Sequence, residues 1–472
     1  MAGVRRRSSL PAVLFLALMA GCAQSNMAAG GNPEASGILP FPAFTAEDRI
    51  LILAPHEDDE TLAAGGVIQK ALAAGAKLRV VYLTYGDHNQ FAFIAYRKSI
   101  WVSPKVNRYM GETRRLEARV ATAHLGLAES DLVFLGYPDH DTLNIWAHAW
   151  DGAPAAYSFL TNTNKVPYPD ALSYGKPHKG ESVLEDVEKQ ILDFKPTVVF
   201  VSHPADANPD HRAFYLFLEA ALMDLEGRVT PPRVYLYVTH MGPWPTPHGY
   251  HPDLPLTIPE RLADAKDVWY SLDLEPKEIG LKYEAVGLYR TQMADRASYL
   301  TAFARRNELF TVPRPLMLLK HGETTPEPLE SELCYATGEN PDYESESFET
   351  NLAGVYYRDT GSAFSVEVTL GKKVDREFGI VIYAFGYKKD APFASMPKLR
   401  IVSALGEIRV ENLQTTVNER LIAAQTSGKT STFNIPWKLL GDPDAVFVQV
   451  HGVMGKMPTE QTAWRLVIRG GK

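Results

Sequence analysis

At 472 residues the chain exceeds what one core usually organises, since single domains rarely outgrow about 250 to 300 residues, so two folded domains are expected. Apolar residues make up 45% and charged residues 22%, close to globular averages, which excludes a disordered chain and a bundle of membrane spans. The net charge of -8 with no long basic block excludes the usual footprint of nucleic-acid binding, and neutral or cationic partners fit better than polyanions.

Residues 1–22 read as a secretory signal, with Arg5, Arg6 and Arg7 ahead of an apolar run from Leu10 to Ala20 that is too short to span a bilayer comfortably. The run closes on Met19-Ala20-Gly21-Cys22, which resembles a bacterial lipobox, so Cys22 is the expected lipidation site. Met19 departs from the more usual Leu, and Ala23 after the Cys resembles lipoproteins sent to the outer membrane. The destination implied is a lipid-anchored place in the cell envelope, periplasmic or surface-facing. The only other thiol is Cys334, so no disulfide argument is available. Residues 23–48, rich in Ala, Gly, Ser, Asn and Pro, read as a flexible tether.

Folding is expected to begin at Arg49. The apolar run Arg49–Ala54 is a strand buried on both faces, Thr61–Ala74 is a helix, and Lys77–Thr84 is a second strand, which together make a parallel βαβ unit. Helices over Glu112–Leu125 and Val183–Phe194 alternate with strands at Leu132–Leu135 and Thr197–Ser202. A helix after Asp210, a strand at Arg233–Thr239 and helical sequence from Tyr283 to Phe310 complete an α/β layered, Rossmann-like domain with a mostly parallel sheet, residues 49–320. A linker rich in Glu, Pro, Ser and Thr follows at 321–347. From Phe348 short alternating runs (Ala363–Leu370, Glu377–Phe385, Lys398–Ser403, Glu407–Asn412, Thr432–Ile435, Ala445–His451, Ala463–Ile468) predict an all-β sandwich over 348–472.

In such a sheet the ligand crevice lies at the carboxyl ends of the strands. His56-Glu57-Asp58-Asp59-Glu60 follows the first strand, and an imidazole and a carboxylate three residues apart there can converge on one cation. The segment His203-Pro204-Ala205-Asp206-Ala207-Asn208-Pro209-Asp210-His211 follows another strand and brings His211 to the same rim. Two imidazoles and one carboxylate, with a fourth position for water, are the usual set of a hydrolytic zinc site. An acidic cluster at a helix start is by itself more often a dipole arrangement than a ligand set, and the matched second segment is what tips the reading toward a metal.

These residues resemble the LmbE-like or PIG-L deacetylases, whose signature is His-Pro-Asp-Asp-Glu after the first strand. Further segments carry the resemblance: Thr84-Tyr85-Gly86-Asp87, Arg114-Arg115-Leu116-Glu117 with Leu125-Gly126, Gly136-Tyr137-Pro138-Asp139, Lys282 with Tyr289 and Gln292, and Arg305-Arg306-Asn307-Glu308-Leu309-Phe310. It covers about Arg49 to Leu319. It implies a zinc-dependent hydrolase that removes the acetyl group from an N-acetylglucosamine-type sugar, with His56, Asp59 and His211 on the metal and Asp58 as general base. Other divalent metals suit the same ligands. Glu57 stands where the family has Pro, and Asn208 where many relatives have a His that assists the intermediate or leaving amine. Asn208 can donate to an oxyanion but cannot pass a proton, so Asp58, recycled, is the expected acid, with His203 or His240 as alternatives.

Asp210 is expected either to orient His211 or to cap its helix, Glu60 to be structural, and Arg97 and Arg114 to be candidate substrate contacts. The signal sequence favours an exported or envelope glycan over a cytoplasmic intermediate. Two rivals share the site: a metal-dependent amidase of another N-acyl compound, and a non-catalytic glycan-binding lipoprotein. In the C-terminal domain Tyr356, Tyr357, Phe385, Tyr387, Trp437 and the Phe433-Asn434-Ile435-Pro436-Trp437 run faintly resemble carbohydrate-binding modules, with core packing the default role.

Overall fold

The computed structural model describes residues 37–98, 103–263, 267–318, 329–330, 333–334, 352–371, 378–404, 406–413, 415–454 and 457–470. The signal sequence, Cys22 and most of the linker at 321–347 lie outside the described residues. No helix among the described residues is long and apolar enough to cross a membrane.

The first half is built on one eight-stranded sheet: β1 (Ile38–Pro40), β2 (Arg49–Ala54), β3 (Lys77–Thr84), β4 (Leu132–Tyr137), β5 (Val198–Ser202), β6 (Arg233–Tyr237), β7 (Trp269–Asp273) and β8 (Asn307–Thr311), in the order β1-β7-β8-β6-β5-β2-β3-β4. The sheet is mixed. β8 runs antiparallel to both β6 and β7, while the remaining pairings are parallel. Its helices are α1 (Asp59–Ala73), α2 (Gln90–Arg97), α3 (Pro104–His124), α4 (Thr142–His148), α5 (Gly180–Phe194), α6 (Pro209–Asp224), α7 (Pro276–Val286) and α8 (Arg290–Thr301). β2 through β4 step outward in one direction and β5 and β6 in the other, so chain direction across the sheet reverses between β2 and β5. That switch point is where an open α/β sheet leaves a crevice.

Two expectations are corrected here. The stretch read as a tether contributes β1, which pairs with β7, and Phe41 packs 4.6 Å from Tyr235 and 5.4 Å from Phe310. The helical sequence expected to run to Phe310 breaks after Thr301 and ends as β8, because Glu308 is used as a brace. Its carboxylate accepts the Gly66 N–H at 2.6 Å, the Val67 N–H at 3.0 Å and the Lys282 ammonium at 2.6 Å, tying β8 to the middle of α1 and to α7. Gly66 permits this approach, since a Cβ there would fall 2.3 Å from Leu274.

The second half has two sheets, antiparallel throughout except for one parallel pair at an edge of the larger. One holds β10 (Leu329–Glu330), β12 (Leu352–Asp359), β13 (Ala363–Leu370), β18 (Ala423–Ser427) and β19 (Thr430–Pro436). The other holds β11 (Leu333–Cys334), β14 (Phe378–Tyr387), β15 (Lys398–Ala404), β16 (Glu407–Asn412), β17 (Thr415–Val417), β20 (Ala445–Met454) and β21 (Met457–Thr462), with β22 (Arg465–Arg469) on β20. β9 (Leu316–Leu318) pairs with β22, so the strand-rich region recruits residues ahead of 320, and β10 and β11 lie within the stretch read as linker.

At its centre, along β14 and β20, the larger sheet is buried on both faces. Ile380, Ile382, Ala384, Val446 and Val448 point into the core shared with the smaller sheet, whereas Val381, Tyr383, Phe385, Tyr387, Ala445 and Phe447 belong to the core of the α/β half. Trp146 of α4 is the hub of that junction, with ring centroids 5.2 Å from Phe393, 5.3 Å from Phe447, 5.9 Å from Trp464 and 6.0 Å from Phe385. Tyr357, Phe385, Tyr387 and Trp437 are buried, so these aromatics pack the core.

Candidate active site

Four strand ends meet at the switch point. β2 delivers His56 to Glu60, β4 delivers Asp139, β5 delivers Asp206 to His211, and β6 delivers Thr239 and His240. His56 Nδ1 lies 3.3 Å from Asp59 Oδ2, His211 Nε2 lies 3.0 Å from that same oxygen, and the two nitrogens are 3.3 Å apart. Ligands at about 2.0 to 2.1 Å from a tetrahedral zinc sit roughly 3.3 Å from one another, so this triangle matches one face of such a site. The three residues form one of the groups able to hold a metal ion.

The opposite nitrogens are held by carboxylates. His56 Nε2 is 3.1 Å from Asp139 and 3.1 Å from Asp210, and His211 Nδ1 is 3.4 Å from Asp206 and 3.3 Å from the Thr239 hydroxyl. That is the arrangement by which metal-binding imidazoles are oriented. The carboxylates are fixed in turn. Asp210 accepts from His140 N–H at 2.6 Å, from Thr142 N–H at 3.1 Å and from the Thr142 hydroxyl. Asp206 accepts from the N–H groups of Asn208, Thr239 and His240 at 2.9, 3.1 and 3.0 Å. The Thr239 hydroxyl donates to Asp59 at 3.1 Å.

All four carboxylates are buried, so the pocket needs positive charge. Burial works against a charged ring at His211, yet Asp206 and Asp59 raise it to about 9; burial is likewise outweighed at His56, which Asp139, Asp210 and Asp59 push well above the usual range. Despite their burial, Asp59 beside His211 and Asp139 beside His56 are held well below the ordinary carboxylate range. A divalent cation between the two rings answers the same demand as two bound protons.

Asp58 faces the triad from a strained turn, with φ 145° in a region that L residues rarely adopt and that concentrates at functional sites. Its carbonyl starts α1 by accepting the N–H of Thr61 and Leu62 at 3.0 and 2.8 Å, and its own N–H reaches Glu60 at 3.3 Å. Glu60 also receives the hydroxyls of Thr61 and Tyr289, so it supports the turn. Burial raises the Asp58 carboxyl to about 7, with the Arg114 guanidinium 3.7 Å away pulling the other way.

The remaining candidates separate clearly. Arg114 is buried and donates to the carbonyls of Gly86 at 2.9 Å and Glu57 at 3.1 Å; a Cβ on Gly86 would overlap its guanidinium. Glu57 is fully buried with its Oε2 3.6 Å from Arg114, and burial pushes its carboxyl well above the usual carboxylate range against the pull of that guanidinium. Asn208 caps α6, its Oδ1 accepting the Asp210 N–H at 2.8 Å, which leaves only its amide hydrogens for a ligand. His240 lies 3.5 Å from Asp206 with 27% of its side chain exposed. His203 is buried and accepts the Ala205 N–H at 3.0 Å, a structural role. Arg97 is exposed and packs over the rings of Phe93 and Tyr109.

Of the two roles expected for Asp210, orienting His211 is not the one found: Asp210 meets His56, because the first turn of α6 points it across the crevice while Asp206 takes the His211 side. Asp139, Asp206 and Thr239 lie in segments named from the sequence, but no role was assigned to them there. Asp139 was detectable, since it follows a strand end as His56 does.

Residues 51–222 match the family model described as PIG-L, GlcNAc-PI de-N-acetylase. A 1D-myo-inositol 2-acetamido-2-deoxy-alpha-D-glucopyranoside deacetylase of Corynebacterium urealyticum is 24% identical over 264 residues, covering 52% of this chain and 72% of that protein. A deacetylase of the same description from Saccharopolyspora erythraea is 31% identical over 184 residues, covering 38% of this chain and 55% of the relative. Among solved structures, the A40926 pseudoaglycone deacetylase Dbv21 aligns with 18% identity and a TM-score of 0.37, covering 56% of this chain and 96% of its own.

Proposed function

We infer that this chain, whose residues 51–222 carry the PIG-L/LmbE-like deacetylase pattern, hydrolyses the acetamide of an N-acetylglucosamine-type sugar with the help of one zinc ion. The observation that carries this reading is the triangle of His56, Asp59 and His211 with Asp58 beside it on a strained turn. A zinc ion in that triangle supplies a Lewis acid and lowers the pKa of water toward about 7.

The chain's own groups do the rest. Asp58 accepts the proton of the attacking water, whose oxygen bonds to the acetyl carbon. The C–N bond then breaks, and Asp58 returns the proton to the departing amine, giving acetate and a free amino sugar. Arg114 holds the Asp58 carboxylate in place, and the Asn208 amide donates to the oxyanion while its carbonyl caps α6. Asp139 and Asp210 on one ring, and Asp206 on the other, keep both imidazoles aimed at the cation.

The sugar belongs to an envelope or exported glycan, and the chain is anchored through lipid on Cys22. The signal-like run 1–22 and its Met19-Ala20-Gly21-Cys22 close support this placement. The two sheets of the second half form a sandwich that buttresses the catalytic half through Trp146. The test is acetate release from N-acetylglucosamine oligomers by the zinc-loaded chain, expected for the wild type and abolished in Asp58→Ala. Binding of the oligomers without acetate release would replace the enzyme with a glycan-binding protein.

A further inference from the structure

The loop after β6 leaves the crevice along a series of rings. The His240 ring lies 4.6 Å from that of His211, edge to face; Tyr299 of α8 stands 6.4 Å from His240, and His248 stands 5.7 Å from Tyr299. Two residues on, Tyr250 meets Tyr283 at 4.0 Å. Exposure grows along the series: His211 is fully buried, His240 and Tyr299 are half-buried, and His248, Tyr250 and Tyr283 face solvent. The rings therefore run from a metal ligand to the surface.

The series is pre-set. Gly249 N–H donates to Ser298 O at 2.6 Å, the Trp244 indole donates to Thr257 O at 2.8 Å, and the Trp244 ring packs 5.5 Å from Phe303. A ligand that lies on these rings pays little ordering entropy in the loop. Tyrosine and histidine combine an apolar plane with a polar tip. Pyranose rings present the complement, an apolar C–H face rimmed by hydroxyls. The Tyr299 hydroxyl donates to the Thr239 carbonyl and His248 Nε2 to the Pro243 carbonyl at 3.0 Å, which fixes these rings in place, while no step of the hydrolysis calls on them or on Tyr250 and Tyr283.

We propose that these rings form a subsite for the sugars next to the one deacetylated, so that the substrate is an oligosaccharide and not a free monosaccharide. This rests on the deacetylase reading. The subsite makes the longer substrate better through binding alone, since the reacting acetamide is the same in both.

The test compares kcat/KM for the N-acetylglucosamine tetramer and the monosaccharide, using the full zinc-loaded chain, alongside calorimetric binding of the tetramer. The wild type is expected to favour the tetramer by about tenfold or more. That ratio should fall toward one in the double variant His248→Ala/Tyr250→Ala and survive in His248→Phe, which keeps a ring. A wild type without tetramer preference, or a double variant that retains it, overturns the subsite. If no acetate is released from either substrate, calorimetry decides. Tetramer binding that weakens about tenfold in the double variant upholds the subsite while the deacetylase reading falls, and unaltered or absent tetramer binding overturns both.

Discussion

The crevice and the junction between the two halves are both largely buried, yet they are built on opposite terms. Around the crevice four carboxylates, Asp59, Asp139, Asp206 and Asp210, surround two imidazoles, and their oxygens are engaged by ring nitrogens, hydroxyls or backbone N–H groups. At the junction Trp146, Phe385, Phe393, Phe447 and Trp464 pack ring against ring, flanked by hydrogen bonds such as Tyr387 hydroxyl to Met223 O at 2.7 Å. Buried charge is expensive unless paired, so the first region should respond to single atoms, whereas the second should respond to volume. Helix α4 joins them: Thr142 bonds Asp210 in the crevice, and Trp146, one turn later, is the hub of the junction. The strand-rich half thus steadies the helix that cradles a residue of the site.

The largest effect should come from the smallest chemical change. Asp58→Asn keeps shape and volume but removes the base, and kcat should fall by roughly 10² to 10⁴ with zinc content unchanged, as read by acetate release and metal analysis. In the ring cluster of the junction volume should matter most. Trp146→Ala should cost about 3 to 5 kcal/mol in denaturant unfolding, and Trp146→Phe clearly less. Equal losses for both would mean that the cluster does not respond to the volume removed.

The pH dependence of stability sharpens the same comparison. His451 packs on Tyr383 at the junction, where burial, together with Arg400 and His148, depresses it to about 4. Between about pH 6.5 and 4 the unfolded chain takes a proton at this position that the folded chain refuses. Its contribution is therefore complete above pH 6.5 and lost as pH falls toward 4, by about 2 kcal/mol after allowing for partial exposure. His451→Phe should flatten that part of the stability curve, and a curve unchanged from wild type would contradict the assignment. The smallest effect is expected at Asp206→Asn, which leaves the ligands intact but weakens the hold on His211, lowering zinc affinity roughly 10- to 100-fold in a competition titration.

Much of this was legible in the residues. Arg49–Ala54, Lys77–Thr84 and Glu407–Asn412 form strands with the bounds their apolar patterns predict, and the segments holding His56, Asp59 and His211 stood at strand ends where a crevice belongs. What was not legible depended on distant partners. β8 carries no signal of its own, because Glu308 finds its purpose only against Gly66, Val67 and Lys282. β14 is buried at all ten positions, since the α/β half covers the face that a two-sheet reading leaves to solvent. Asp206 and Asp210 lie four residues apart yet serve different histidines, a division that chain spacing alone does not reveal. Asn208 looked like a catalytic substitution, and its cap on α6 shows a structural duty besides.

The central claim is that His56, Asp59 and His211 hold the metal on which hydrolysis depends. Zinc content and acetate release, measured on the same full-length preparation before chelation, after it and after zinc is restored, test this most directly. One zinc per chain is expected, with loss of acetate release when the metal is removed, recovery on its return, and neither zinc nor acetate release in His211→Ala. Acetate release at the wild-type rate by the metal-free chain, or by His211→Ala, would contradict it.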